Sequence, residues 1–251
     1  MTNRSMLAVT AAATTATLVC GPAAAQLIYV DLGGSGNNTA ALPLGDTLGN
    51  IWNDFNPGSD TELNFADGSG TSGIFLDSTT SSVVAGGNGG LGNPSQALLG
   101  DLAVASATSD YLFVVGTSTL TLRLRGLESG LVYDLGIFAT RDTEFVGQGT
   151  RETLYTVDAG AGQSTAVLQT SGAGAGNGGA FGNNDDLAEF SALTADANGE
   201  INITIAVQSG NFGYAGALVL EVVPTPGTAA VLGLGGMLAA RRRRTSAAPA
   251  A

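Results

Sequence analysis

Carboxylates and arginines carry almost all of the chemistry that this sequence has to offer. There is no lysine and no histidine, and Cys20 is the only cysteine. A Ser-His-Asp or Cys-His nucleophile is therefore out of reach, and so is a lysine Schiff base. Zinc, copper and iron lose both of their preferred ligand types. What remains is a hard cation such as calcium, held by oxygen atoms.

Two carboxylates are enough for glycoside hydrolysis. The 21 acidic residues, however, are scattered between Asp31 and Glu221, and their spacing selects no pair. A solvated acidic surface is the reading that such scatter supports. Two loops have oxygen-rich spacing suited to calcium. One is Asp54, Asn56, Asp60 and Glu62 around Pro57-Gly58, and the other is Asn183, Asn184, Asp185 and Asp186. Asp196-Ala197-Asn198-Gly199-Glu200 copies a fragment of an EF-hand loop without its full ligand series. It reads as a hairpin turn, with Asn198-Gly199 as a type I′ signal.

Arg141 and Arg151 flank one segment, with Glu152 and Tyr155 close by. The favoured expectation is an ion pair across neighbouring strands, of modest worth. The functional alternative is an exposed surface of Arg141, Arg151, Tyr155 and Tyr214, with Tyr111 as a further ring. Arginine grips a carboxylate bidentately, so such a surface would suit an anionic sugar. The glycine run Gly172 to Gly176 lacks the flanking strand, helix and cation of a phosphate loop, and reads as a loop only.

The elements that must position these groups are strands. Leu120, Leu122 and Leu124 alternate with Thr121, Arg123 and Arg125, and Ile201 to Val207 alternates likewise. Strict alternation marks half-buried strands. Further strands are expected at Leu27–Asp31, Ile51–Asn53, Leu63–Phe65, Gly73–Leu76, Asp110–Val114, Val132–Ala139, Thr153–Val157, Thr165–Gln169, Ala188–Leu193 and Leu218–Val222. A short helical turn is expected from Pro94 to Leu102, capped by Ser95. Many short strands joined by Gly-, Asn- and Asp-rich turns predict an all-β fold, a single β-sandwich of jelly-roll type, with a closed barrel as the alternative.

The two ends have a different composition. Arg4, the apolar stretch Met6 to Val19 and Ala23-Ala24-Ala25 form a signal-peptide pattern over 1–25, with signal peptidase cleaving after Ala25 and the mature chain starting at Gln26. At the other end Val223-Pro224-Thr225-Pro226 leads into an apolar run over 227–240. Arg241, Arg242, Arg243 and Arg244 follow, opening a tail over 241–251. The apolar run is shorter than the about 20 residues a stable span needs. It reads as a short transmembrane helix whose basic flank stays in the cytoplasm. Between the ends, 26–222 is expected to fold as the ectodomain. There, four arginines against 21 acidic residues leave a formal charge of −17. Nucleic acid, which needs clustered cations, is excluded as a partner.

This C-terminal order resembles the PEP-CTERM sorting signal of bacterial surface proteins, with Thr225 where the usual motif has glutamate. The resemblance implies an exosortase-type processing enzyme as a partner. It also implies an exported protein, anchored briefly in the inner membrane and then placed at the cell surface or in the extracellular matrix. A second resemblance rests on Leu124-Arg125-Gly126-Leu127, Phe138-Ala139-Thr140-Arg141, Arg151 to Val157, Ala195 to Ile201 and Gly213 to Leu218, in that order. It is similar to a β-sandwich domain of secreted PEP-CTERM and cell-wall proteins that is often compared with carbohydrate-binding jelly rolls. It implies a non-enzymatic structural or carbohydrate-binding module associated with exopolysaccharide. The alternative is a carboxylate-based polysaccharide hydrolase or lyase. If either oxygen-rich loop holds calcium, EDTA lowers the melting temperature of the ectodomain; an unchanged value contradicts a calcium site.

Overall fold

The computed structural model describes residues 25–33, 46, 48–79, 89–142 and 149–223. They lie within one unit, Ala24–Thr225. Most of the expected signal segment (including Ala23), Pro224, Thr225, Pro226, the apolar run and Arg241 to Arg244 lie outside the described residues. Among the described residues no helix is long and apolar enough to cross a membrane.

The fold is a β-sandwich. Thirteen strands occur among the described residues. In the first half they are β1 (Gln26–Asp31), β2 (Trp52–Asp54), β3 (Thr61–Asn64), β4 (Thr71–Ser78), β5 (Leu112–Val115) and β6 (Thr119–Arg125). The second half holds β7 (Val132–Phe138), β8 (Arg151–Ala159), β9 (Gly162–Ser171), β10 (Ala188–Leu193), β11 (Ile201–Ser209), β12 (Phe212–Ala215) and β13 (Ala217–Val223). One sheet has the order β10-β7-β13-β1-β2, the other β3-β4-β6-β11-β8-β9. β12 and β5 pair separately as a two-stranded ribbon. First and last strands are neighbours, with Gln26 opposite Val222.

Alternation decides which side chains meet between the sheets. Leu120, Leu122 and Leu124 of β6 and Ile201, Ile203 and Ile205 of β11 point inward from the six-stranded sheet. They join one buried cluster with Ile28 and Val30 of β1, Leu135 and Ile137 of β7, and Leu218 and Leu220 of β13. A period of two places every second residue on one face, so these runs can build a core only as strands.

The other face of the five-stranded sheet has its own small core. Tyr29, Trp52, Phe138 and Ala217 are covered by Leu99, Leu102, Val104 and Ala107. Those four come from the short helices α1 (Gln96–Leu99) and α2 (Ala105–Thr108) and the turn between them. Trp52 stacks on Tyr29 at 5.1 Å and donates its indole N–H to Asp46 at 2.9 Å. Ser95 stands at the N-cap of α1, but its hydroxyl makes no capping bond. Its backbone carbonyl accepts from the N–H groups of Leu98 and Leu99 instead.

One expectation about a connection needs correction. Asn198-Gly199 does not join a hairpin, because β10 and β11 belong to different sheets. Gly199 has a φ of 75°, while Asn198 is not among the residues of positive φ, so the turn is not type I′. The Asp196 carboxylate organises it by accepting the N–H groups of Asn198 and Glu200. The ribbon strand β12 pairs with a distant part of the chain. Phe212-Gly213-Tyr214-Ala215 has no strict polar alternation, and its partner β5 is nearly 100 residues away in sequence.

The side chain of Leu122 is fully buried at the centre of the six-stranded sheet. Leu122→Ala should lower unfolding free energy by about 2–5 kcal/mol, read from denaturant titration.

Candidate functional site

The four arginines of the described residues fall into two structural classes. Arg123 and Arg125 lie on the outer face of β6. Arg123 donates from Nε and Nη2 to the two oxygens of Asp77, at 3.1 and 2.8 Å, and reaches Glu200 at 3.6 Å. Arg125 donates to Asp77 at 2.8 Å and also pairs with Asp60. Burial alone would raise the Asp77 carboxyl, but the two guanidiniums outweigh it and hold it below the usual carboxylate range.

Arg141 and Arg151 behave differently. They are only 9% and 6% exposed, so the open arginine surface offered as the functional alternative does not form. Arg151 faces the sheet interior, whereas Glu152, the next residue of β8, falls on the other face by alternation. The Arg151 guanidinium donates to the Tyr214 hydroxyl instead, and lies 4.9 Å from the Phe212 ring and 5.7 Å from the Tyr214 ring. Arg141 donates to the Tyr111 hydroxyl at 2.7 Å and lies over the same ring at 5.8 Å. Cation–π contacts of this kind are strongest where water is displaced.

These tyrosines lock the ribbon to β8. Tyr214 receives an edge contact from Tyr111 at 4.8 Å. Its backbone N–H donates to Thr153 at 2.8 Å, and its carbonyl accepts the Tyr155 hydroxyl at 2.5 Å. Tyr155 is fully buried and serves packing, not ligand contact. Burial pushes the Tyr214 phenol up to about 12, against the opposing pull of Arg151.

The ribbon has one face built of large apolar side chains. Phe113 sits opposite Tyr214, and Val115 opposite Phe212, and opposite residues of an antiparallel pair share a face. Phe113 and Phe212 meet edge to face at 5.9 Å. Both rings are half-buried, and Val115 beside them is 42% exposed. The result is a partly open aromatic surface backed by Arg151. Phe113 and Phe212 escaped notice in the sequence because nothing local says that β5 and β12 are partners.

A second depression lies on the outer face of the five-stranded sheet. It has a volume of about 220 Å³ and its lining includes Asp134, Glu189, Glu221, Ser191 and Val219 around Gly136. Glu221 is opposite Asp134 and Glu189 is opposite Gly136 in the strand register. Asp134 accepts the backbone N–H of Ala192 at 2.7 Å, at the irregularity in β10. This is where carboxylates gather around a groove, which no sequence spacing indicated.

The first calcium loop is dispersed. Asp54 ends β2, Glu62 lies in β3, and Asp60 is taken by Arg125. Asn183 organises the second loop: its side-chain oxygen accepts from the N–H groups of Asp185 and Asp186, and its amide donates to Ala139 and Asp186 carbonyls. Among the described residues no three His, Cys, Asp or Glu side chains converge as a metal site.

No known protein-family profile matches the sequence, and no curated protein matches it. Among solved structures it is similar to TmCBM61 in complex with beta-1,4-galactotriose, at 15% identity and a TM-score of 0.32, over 61% of this chain and 90% of that one. It is also similar to the ANX1 ectodomain from Arabidopsis thaliana, at 12% identity and a TM-score of 0.35, over 57% and 41% of the two chains. The CBM22-1-GH10 modules of Clostridium thermocellum endo-1,4-beta-D-xylanase 10B give 12% identity and a TM-score of 0.29, over 61% and 27%. Likeness this distant assigns neither ligand nor activity.

The two arginine classes should separate by mutation. Arg151→Met, which strips a buried hydrogen bond and two ring contacts, should cost about 2 kcal/mol. Arg123→Met, on the half-open outer face, should cost under about 1 kcal/mol. Denaturant titration of both variants checks the order.

Proposed function

We propose that this chain is a non-enzymatic carbohydrate-binding or structural module of an exported bacterial surface or extracellular-matrix protein. Its ligand would be a polysaccharide, met at the β5–β12 ribbon. The observation that carries this reading is the half-open pair Phe113 and Phe212 beside the exposed Val115. Aromatic faces offer a sugar ring a flat apolar surface, and rigid rings lose little freedom when a ligand docks. Arg151 and Tyr214, just beneath, supply polar groups that fix orientation.

The route to the surface is proposed on the ends of the sequence. Signal peptidase would cut after Ala25. An exosortase-type enzyme would act at Val223-Pro224-Thr225-Pro226 while the apolar run holds the chain in the inner membrane, with Arg241 to Arg244 in the cytoplasm. Calcium at Asp54, Asn56, Asp60 and Glu62, or at Asp185 and Asp186, stays a proposal that the EDTA experiment decides.

A carboxylate-based hydrolase or lyase is the second reading, and the groove of Asp134, Glu189 and Glu221 is the place that would serve it. A binder and an enzyme differ by turnover: a binder saturates and releases no reducing ends.

A glycan array probed with residues 26–223 tests the proposal. Saturable binding is expected, weakened about 10-fold or more by Phe113→Ala or Phe212→Ala, since each ring contributes on the order of 1 kcal/mol or more. Silence on the array, or binding indifferent to both substitutions, contradicts it. Release of reducing ends that stops in Glu221→Gln would move the function to the groove.

A further inference from the structure

The two large sheets end in four edge strands, β10, β2, β3 and β9. Three of them are ill suited to accept another strand. β2 is three residues long. β3 has four residues, an irregular register and the exposed side chain of Glu62. β10 is interrupted between Phe190 and Leu193, where Ala192 has a φ of 57°, and it presents Glu189 to solvent. Short length, irregularity and charge are the devices by which sheets protect their edges. β9 has none of them from Gly162 to Gln169. Over that length its register against Ala159 to Glu152 of β8 is unbroken. Among the described residues its outward side is taken only beyond Gln169. There the Thr170 carbonyl accepts the N–H groups of Arg141 and Asn183, and Ser171 bridges Gly182.

The composition of this edge is as unusual as its length. Residues 159–184 are the longest stretch without a charged side chain between Asp31 and Glu221, a region in which four arginines face 21 acidic residues. Gln163, Thr165 and Val167 are exposed on the outer face of β9, whereas Ala166 and Leu168 pack against the core. Val167, at 51%, is the most exposed large apolar side chain among the described residues. A long, regular, neutral edge with an apolar residue at its middle is a ready template for strand addition.

Charge and symmetry choose the occupant. Two copies of so acidic a chain repel wherever carboxylates meet, and this edge brings none into contact. Antiparallel pairing of β9 with itself, centred on Ala166, sets Thr165 opposite Val167 and Gln163 opposite Gln169, each twice. β-branched pairs of this kind support a sheet. Gln169 donates its amide nitrogen to the Ala173 carbonyl at 3.1 Å, and its amide oxygen can accept from Gln163. We propose that β9 is a self-association edge: two copies join antiparallel through Gly162–Gln169 and continue the six-stranded sheet across a two-fold axis. The pairing closes at two, because the remaining edges of each copy are blunted. The contact is small, so the dimer is weak and exchanges with monomer. Nothing in this inference depends on the ribbon binding glycan.

Sedimentation equilibrium of residues 26–223, which hold both buried clusters, tests the edge. The wild type should pass from monomer to dimer at concentrations below about 1 mM, the range of a small interface. The double variant Thr165→Lys, Val167→Lys sets each new lysine opposite another in the pairing. It should raise the dimer dissociation constant about 10-fold or more. The same change makes the chain less negative, so relief of general repulsion would shift association the other way. Hydrogen exchange of the unaltered chain reads the contact without a substitution, should the double variant fail to fold. Amides of 162–169 should exchange more slowly at about 1 mM than at about 10 μM, while those of 61–64 do not change. A wild type that stays monomeric leaves the edge to a strand of another protein and overturns the proposal. A dimer indifferent to both lysines, species larger than a dimer, or exchange over 162–169 that ignores concentration overturns it as well.

Discussion

Positive charge is scarce between Gln26 and Val222, and the structure depends on how it is spent. Four arginines face 21 carboxylates between Asp31 and Glu221. Arg123 and Arg125 join β6 to the β3–β4 edge through Asp77 and Asp60, and touch Glu200. Arg141 and Arg151 close one end of the core by donating to tyrosine hydroxyls and lying against aromatic rings. A buried guanidinium must be compensated, and polarisable rings with a hydroxyl acceptor go some way toward that. Elsewhere, backbone groups meet the acids: Asp46 and Asp196 each accept two N–H groups within their own turns. At Asp46 burial opposes, but the Trp52 indole N–H and then the backbone bonds hold the carboxyl below the usual range; at Asp196 the backbone bonds lead in doing so.

The ribbon of β5 and β12 ties the candidate site to this arrangement. Leu112, Val114 and Ala215 join the core from one face of the ribbon, while Phe113 and Phe212, on the other face with Tyr214, are partly buried and pack against the same cluster. Arg151 and Tyr214 sit at the boundary between the two. The same interactions that close the core therefore fix the orientation of the half-open rings. A site built on paired strands and held from beneath by buried hydrogen bonds needs little reorganisation when a ligand arrives.

Much of the sandwich was legible because its strands alternate. Leu120 to Arg125 and Ile201 to Val207 announce both their type and their buried face, and Ala188–Leu193 was read with its observed limits. Edges were read short: Thr165–Gln169 is the middle of the ten-residue β9, whose outer residues are uniformly polar. The site was legible only in part. Arg141, Arg151, Tyr155 and Tyr214 do gather at one end, yet buried, because strand parity and aromatic packing turn the guanidiniums inward. Phe113 and Phe212 lie in short apolar runs with no motif, and only the pairing across nearly 100 residues makes them neighbours.

The central claim is that ligand contact occurs at the aromatic ribbon. It is tested most directly by titrating isotope-labelled protein (residues 26–223) with an array-positive oligosaccharide and mapping NMR shift changes by residue. The account predicts changes concentrated at Phe113, Val115, Phe212 and Tyr214, saturating together. Changes centred on Asp134, Glu189 and Glu221 with the ribbon silent would contradict it.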